Sequence, residues 1–110
     1  MKILGVDPGL NGGLAFLARD TDTAPIRLLE AIDVPTEGEG PSREVSPEIL
    51  NYIAKWRPDA AYIERAQAMP IRRSGAEGQA GGATSAFVYG GAYFSIRLAI
   101  RGCLVPLTRK

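Results

Sequence analysis

KILGVDPGLNGG, spanning Lys2–Gly13, is the part of the chain that the other segments fall into place around. Residues 2–6 form an apolar run too short for a helix and bounded by turn residues, which predicts a strand. Asp7 closes that strand immediately before Pro8-Gly9. Proline presets the first corner of a tight turn and glycine accepts the positive φ of the second, so the chain is expected to reverse at these two residues. Leu10–Gly13 prolong the turn, and Leu14-Ala15-Phe16-Leu17 open a second strand. A carboxylate therefore stands at the lip of a strand, beside backbone slim enough for an anion or a metal to approach. Alone, an aspartate before a proline reads more readily as a turn residue than as a site.

Working outward, residues 14–19 give the second strand, Asp20–Pro25 its polar turn and Ile26–Val34 a third strand, so the first three strands form an antiparallel meander. Pro35–Arg43 (PTEGEGPSR) reads as a mobile, acidic surface loop. Ser46-Pro47-Glu48 carries the marks of a helix start: a capping serine, proline at the first position and an acid in the first turn. Ile49, Leu50, Ile53, Ala54 and Trp56 follow helical spacing, and Arg57-Pro58 ends the helix. At that spacing Trp56 is a core or helix-end contact rather than a base-stacking residue. Asp59–Glu64 (DAAYIE) is a strand that ends in a carboxylate, as the first one does.

Arg65–Ala83 is rich in glycine and arginine and lacks periodicity; so long a loop in a compact domain is usually functional or disordered. Thr84 or Ser85 caps a second helix running to Arg101, with Gly102 as its stop. Gly90, Gly91 and Ala92 inside it suggest close packing on another backbone. Cys103–Leu107 supplies a fifth strand, giving the order β-β-β-α-β-α-β.

A strand–crossover–strand connection is right-handed and parallel, so the strand ending at Glu64 can lie beside the one ending at Asp7. Both carboxylates then project from the carboxyl ends of adjacent strands, where open α/β sheets bind ligands. They repel each other unless a cation sits between them. That arrangement favours divalent-metal chemistry on phosphate over two unrelated structural acids.

Composition narrows the chemistry. At 110 residues, the chain has room for one domain and one core. No apolar run approaches the roughly 18 residues of a membrane span. The N-terminus lacks a signal-peptide pattern, and the lone Cys103 fits a reducing cytoplasm and a buried packing role. The absence of histidine removes Ser-His-Asp and Cys-His nucleophiles and the usual zinc ligand sets, leaving hard, oxygen-bound Mg²⁺ or Mn²⁺. The formal charge of +1 hides an asymmetry: residues 1–64 carry six Lys/Arg against eleven Asp/Glu, whereas residues 65–110 carry seven against the single Glu77. Basic residues so gathered can form a footprint for a polyanion. Arg97 and Arg101 read as solvating a helix face, but Arg65, Arg72 and Arg73 lie in the loop directly after the second acid.

ILGVDPGLNGGLAF at the front, AYIERAQAMP around Glu64, and the Gly-rich loop leading into SAFVYGGAYFSIRLAIRGCLVP together resemble the RuvC-type Holliday-junction resolvases of the ribonuclease H-like superfamily, especially the short phage-associated branch. The Asp-Pro-Gly strand end is moderately specific alone. Combined with Ile-Glu-x-x-x-x-Met-Pro, 57 positions on, it is strong. The resemblance covers nearly the whole chain and implies an α/β, ribonuclease H-like single domain over residues 1–110, with a mixed five-stranded sheet of three antiparallel strands followed by two parallel ones. It implies that Asp7 and Glu64 are catalytic metal ligands. It also implies that Arg65, Gln67, Arg72 and Arg73 meet branched or four-way-junction DNA, and that the Ser85–Arg101 helix packs against a twin subunit in a homodimer.

The implied reaction is phosphodiester hydrolysis with two Mg²⁺ ions about 3.5–4 Å apart, Mn²⁺ substituting, and Asp7 bridging the pair. Family members continue into a lysine-bearing segment and a C-terminal helix with further acids. Residues 1–110 stop short of that helix, so the expectation is a truncated domain with half a site, uncovered sheet that favours self-association, and barely any cleavage. Two other readings compete. A non-catalytic branched-DNA-binding protein can use the same fold, and an actin- or sugar-kinase-like ATPase half opens with a similar strand, turn and acid but needs a second domain.

Overall fold

The computed structural model describes residues 1–65 and 90–109. Strands β1 (Lys2–Asp7), β2 (Gly13–Ala18) and β3 (Arg27–Asp33) form the expected antiparallel meander. Strand β6 (Ala60–Ile63) runs parallel to β1, and β7 (Leu107–Arg109) runs parallel to β6. The resulting sheet has the order β3-β2-β1-β6-β7: three antiparallel strands, then two parallel. Its start is latched by a reciprocal pair. The Lys2 N–H donates to Asp59 Oδ2 at 2.8 Å, and the Asp59 N–H donates to the Lys2 carbonyl at 2.8 Å.

Alternation along the strands separates two faces. Leu4, Val6, Leu14, Phe16, Ala61 and Ile63 are buried and join one cluster with Ile49 and Ile53 of helix α1 (Glu48–Trp56) and with Ile96 and Ile100 of helix α2, whose described part covers residues 90–102. Burying each of these large side chains is worth roughly 1.5–3 kcal/mol, which makes this layer the main source of cohesion among the described residues. Ile3, Leu17 and Tyr62, on the opposite face, are half-buried.

Both helices end in left-handed residues that are not glycine. Arg57 (φ 49°) closes α1, its N–H donating to the Ile53 carbonyl at 2.9 Å. At the end of α2 the expected stop, Gly102, is still helical, and Leu104 (φ 60°) takes the left-handed position instead. The Leu104 N–H donates to Arg101 O and the Val105 N–H to Ile100 O, a Schellman pattern. That motif consumes Cys103 and Leu104, so the last strand begins at Leu107 rather than at Cys103.

Other expectations also need correction. Pro35–Arg43 is not a plain loop: Thr36–Glu37 (β4) pairs with Glu44–Val45 (β5) around a 3₁₀ turn at Gly40–Ser42. Leu50 is exposed and only Ile49 and Ile53 of α1 are buried, because a nine-residue helix turns only a narrow stripe to the core. Gly90 and Gly91 have no described atom near enough to demand glycine. Arg97 does more than solvate: its guanidinium lies 5.5 Å from the Tyr93 ring centroid, and its buried Nε has no hydrogen-bond partner among the described residues.

The helix starts one residue later than its sequence suggests, with Pro47 at the cap position and Glu48 as its first residue, and Ser46 acts from just ahead of it. Ser46 is buried, its Oγ accepts the Glu48 N–H at 3.2 Å, and its own N–H donates to Pro35 O at 2.8 Å, tying the ribbon to α1. Trp56 packs on Phe16 with ring centroids 6.3 Å apart, as a helix-end core contact.

Candidate active site

Asp7 is the last residue of β1 and Glu64 follows directly after β6. Val6 pairs with Ile63 in parallel register, and the Glu64 N–H continues the ladder to the Val6 carbonyl at 3.3 Å. The two acids are therefore successive neighbours across one strand pair, about 4.8 Å apart in backbone spacing. Val6 and Ile63 point into the core, and both acids are exposed. By alternation they sit on the sheet face away from the helices.

The turn after Asp7 is built differently from its expected form. The hydrogen-bonded turn runs from Gly9 to Gly12, with the Gly12 N–H donating to Gly9 O at 3.2 Å, so Leu10-Asn11 and not Pro8-Gly9 form its corners. Gly9 does carry a positive φ, 122°. Gly12 is dictated by close approach: a Cβ there would lie 2.0 Å from the Asp7 carbonyl oxygen. The far side is stitched to the sheet by the Val34 N–H, which donates to Gly12 O at 3.0 Å.

Arg43 was not legible in the sequence as part of this region. Its Nη2 donates to Leu10 O at 2.9 Å, its Nη1 to Asn11 Oδ1 at 2.9 Å, and its Nε to Thr36 Oγ1 at 3.2 Å. Partners 32 and 33 positions apart leave no local pattern, and only the folded ribbon brings them together. On β3, level with Phe16, Glu30 Oε1 accepts from Trp56 Nε1 at 2.7 Å and from Lys55 Nζ at 3.2 Å. The Trp56 hydrogen bond first, then Lys55, hold the Glu30 carboxyl below the usual glutamate value.

Asp33 shares the register row, since Asp7 pairs with Gly13 and Gly13 with Asp33. Two strand spacings, about 10 Å, keep it from a cation whose carboxylate bonds run about 2.0–2.6 Å. Among the described residues no three acidic, histidine or cysteine side chains group to hold a metal ion. Two exposed carboxylates side by side are nevertheless a donor set of the right chemistry for a hard divalent cation that keeps part of its water shell. Arg65 is exposed directly after Glu64, while Gln67, Arg72, Arg73 and the third acid Glu77 lie outside the described residues.

A mixed sheet whose central parallel pair carries an acid at each carboxyl end, with both described helices packed against one face, is the α/β architecture of ribonuclease H-like proteins. In fold the chain is similar to RuvC structures. It matches Thermus thermophilus RuvC in complex with Holliday junction substrate at TM-score 0.69 and 21% identity, covering 100% of this chain and 65% of that one. It also matches a Thermus thermophilus RuvC structure at TM-score 0.60 and 20% identity, covering 100% of this chain and 63% of that one. The chain thus spans just under two thirds of these neighbours. Neither a family model nor a curated protein matches it. At this identity the likeness establishes the fold.

Proposed function

We propose that this chain is a divalent-metal-dependent endonuclease module acting on branched DNA, with four-way junctions as the favoured substrate class and the cytoplasm as its setting. The observation that carries the reading is the parallel β1–β6 pair, which sets Asp7 and Glu64 next to each other at the open end of a RuvC-like sheet. Asp7 and Glu64 would hold Mg²⁺ or Mn²⁺, and Asp7, at the centre of the sheet, would be the ligand able to serve two ions. A bound metal would supply a hydroxide nucleophile at neutral pH and neutralise charge on the phosphate. The chain's own part is placement: the pair concentrates negative charge at one point, and Arg65, with Arg72 and Arg73 later in the segment that follows it, would offer positive charge for the backbone of the DNA.

The homodimer is part of this reading. Phe94 and Leu98 are 58% and 56% exposed on the face of α2 that turns away from the core residues Ile96 and Ile100. Such a stripe suits a second copy of the chain, and two copies would present two sites to opposing strands. Among the described residues no helix is long and apolar enough to cross a membrane.

The absence of a third acid beside the pair, among the described residues, favours one second reading: a module that binds branched DNA and cleaves it little by itself. One experiment separates the two. Nicking of a synthetic four-way junction by the 110-residue chain is measured with and without Mg²⁺ beside Asp7→Asn, and Mn²⁺ affinity is titrated in both proteins. We expect weak, Mg²⁺-dependent nicking and Mn²⁺ binding, both lost in Asp7→Asn with the fold intact. An unchanged metal titration in Asp7→Asn returns Asp7 to the status of a turn residue. Junction binding with no nicking selects the second reading.

A further inference from the structure

We infer that Arg43 is a positioning residue of the candidate site, its guanidinium fork fixing the Asp7–Gly13 turn and with it the Asp7 carboxylate. The inference rests on the reading of Asp7 as a metal ligand. Three observations support it.

The first is the geometry of the fork. Nη2 and Nη1 reach two different acceptors on successive residues, Leu10 O and Asn11 Oδ1, both at 2.9 Å, while Nε is anchored on Thr36 Oγ1 at 3.2 Å. The third bond fixes the plane of the guanidinium, so the other two hold the turn in orientation as well as in distance. A lysine at this position presents a single point donor and cannot reproduce that brace.

The second is what the brace holds. Leu10 is half-buried and Asn11 exposed, and neither belongs to the core cluster. The turn already has its own closing bonds, Gly12 N–H to Gly9 O and Val34 N–H to Gly12 O. Arg43 adds restraint at the outer corner, three and four residues beyond Asp7, where cohesion of the core gains nothing from it.

The third is the lack of another support on that side among the described residues. A cleft of about 220 Å³, lined by Leu10, Arg43, Val45, Ala92 and Ser95 among others, separates the corner from α2. The described part of α2 therefore leaves the turn unpacked on that side. The ribbon that carries Arg43 is itself held at its base by the Ser46 N–H to Pro35 O bond, so the arginine transmits the position of α1 and the ribbon to the strand end.

The test compares wild type with Arg43→Ala and Arg43→Lys by three measurements: amide hydrogen exchange at Gly12 and Val34, Mn²⁺ affinity by titration, and the global denaturant midpoint. Removing a charge-assisted brace is expected to speed exchange at these two amides about tenfold or more. Loss of a partner that orients a ligand is expected to weaken Mn²⁺ binding about tenfold or more, in Arg43→Lys as in Arg43→Ala. A purely structural role would lower the midpoint of both variants and leave the affinity of the folded protein unchanged, and that result overturns the inference. Unchanged exchange overturns it as well. If wild type itself binds no Mn²⁺, the metal reading of Asp7 falls on its own, and exchange alone decides whether Arg43 clamps the turn: faster exchange keeps the clamp, and unchanged exchange removes it.

Discussion

The two strand ends that carry the acids are held in unequal ways. Behind Asp7 the chain is braced by the Gly12–Gly9 bond, the Val34–Gly12 bond and the three-point fork of Arg43, and a glycine is demanded where the backbone folds back on Asp7. At Glu64 the tie is the 3.3 Å ladder bond to Val6, and among the described residues the side chain has no hydrogen bond or ion pair. The backbone at Asp7 is held by more bonds than the backbone at Glu64 among the described residues, and neither carboxylate has a hydrogen bond or ion pair there. The asymmetry suits a site in which one ligand fixes the position and the other adapts to what is bound.

The inequality is tested most severely at Gly12. A Cβ 2.0 Å from the Asp7 carbonyl oxygen meets backbone that cannot rotate away. Gly12→Ala is expected to cost on the order of 3 kcal/mol in chemical denaturation, whereas Glu64→Gln at the loosely tied end should stay within about 0.5 kcal/mol. Equal costs at the two ends would remove the distinction between a fixed and an adaptable acid.

The Glu64 side is probed through its charges. Replacing Arg65, Arg72 and Arg73 with alanine should weaken binding to branched DNA and lower the log–log salt slope by about 0.9 for each duplex phosphate no longer neutralised. Wild-type affinity and slope in the triple variant would mean that the segment after Glu64 is not the DNA surface.

The smallest expected effect lies away from both acids, at Glu30 on β3. Its carboxyl is held below the usual value by Trp56 and Lys55. A carboxyl that titrates lower in the folded chain than in the unfolded one stabilises the fold above the unfolded value, and that stability is lost as pH falls through the folded value. Glu30→Gln should therefore lower the denaturation midpoint near neutral pH and flatten its decline in the acid range below about pH 4.3. An identical acid limb in wild type and variant would show that the carboxylate contributes nothing through these bonds.

Much of this was legible in the sequence, for reasons that residues make plain. The apolar run before Asp7, the serine–proline–glutamate start of α1 and the crossover to Asp59–Glu64 are local signals, and they lead to the strand order and to the pairing of the two acids. The signals that failed were those set by distant contacts. The PTEGEGPSR segment reads as a loop because the strand within it and the one just after it are two residues each, too short for any alternation to register. The end of α2 is misplaced because a leucine, 90% exposed, occupies the left-handed position that glycine chemistry assigns to Gly102, and the last strand moves with it. A single left-handed L-residue costs only about 1–2 kcal/mol, which the packing of Ile96, Ile100 and Val105 readily offsets. Arg43 and Glu30 are silent because Asn11, Leu10, Lys55 and Trp56 lie 25 to 33 positions from them, and the arginine's role emerges only once β4 and β5 have paired.

The latch between Lys2 and Asp59 governs which insertions and deletions the pair of acids can tolerate. Those two bonds index β6 against β1 at the end of the sheet opposite the acids, and side-chain direction along a strand repeats every two residues. The spacing of Asp7 and Glu64 is therefore counted in whole residues rather than tuned by degrees. Adding or removing one residue within Asp59–Glu64 turns Glu64 to the opposite face from Asp7, whereas length changes in Asp20–Pro25 or around Gly38 leave the count untouched. The stretch between the two acids can drift in length over most of its course, provided that the six residues from the latch to Glu64 keep their number.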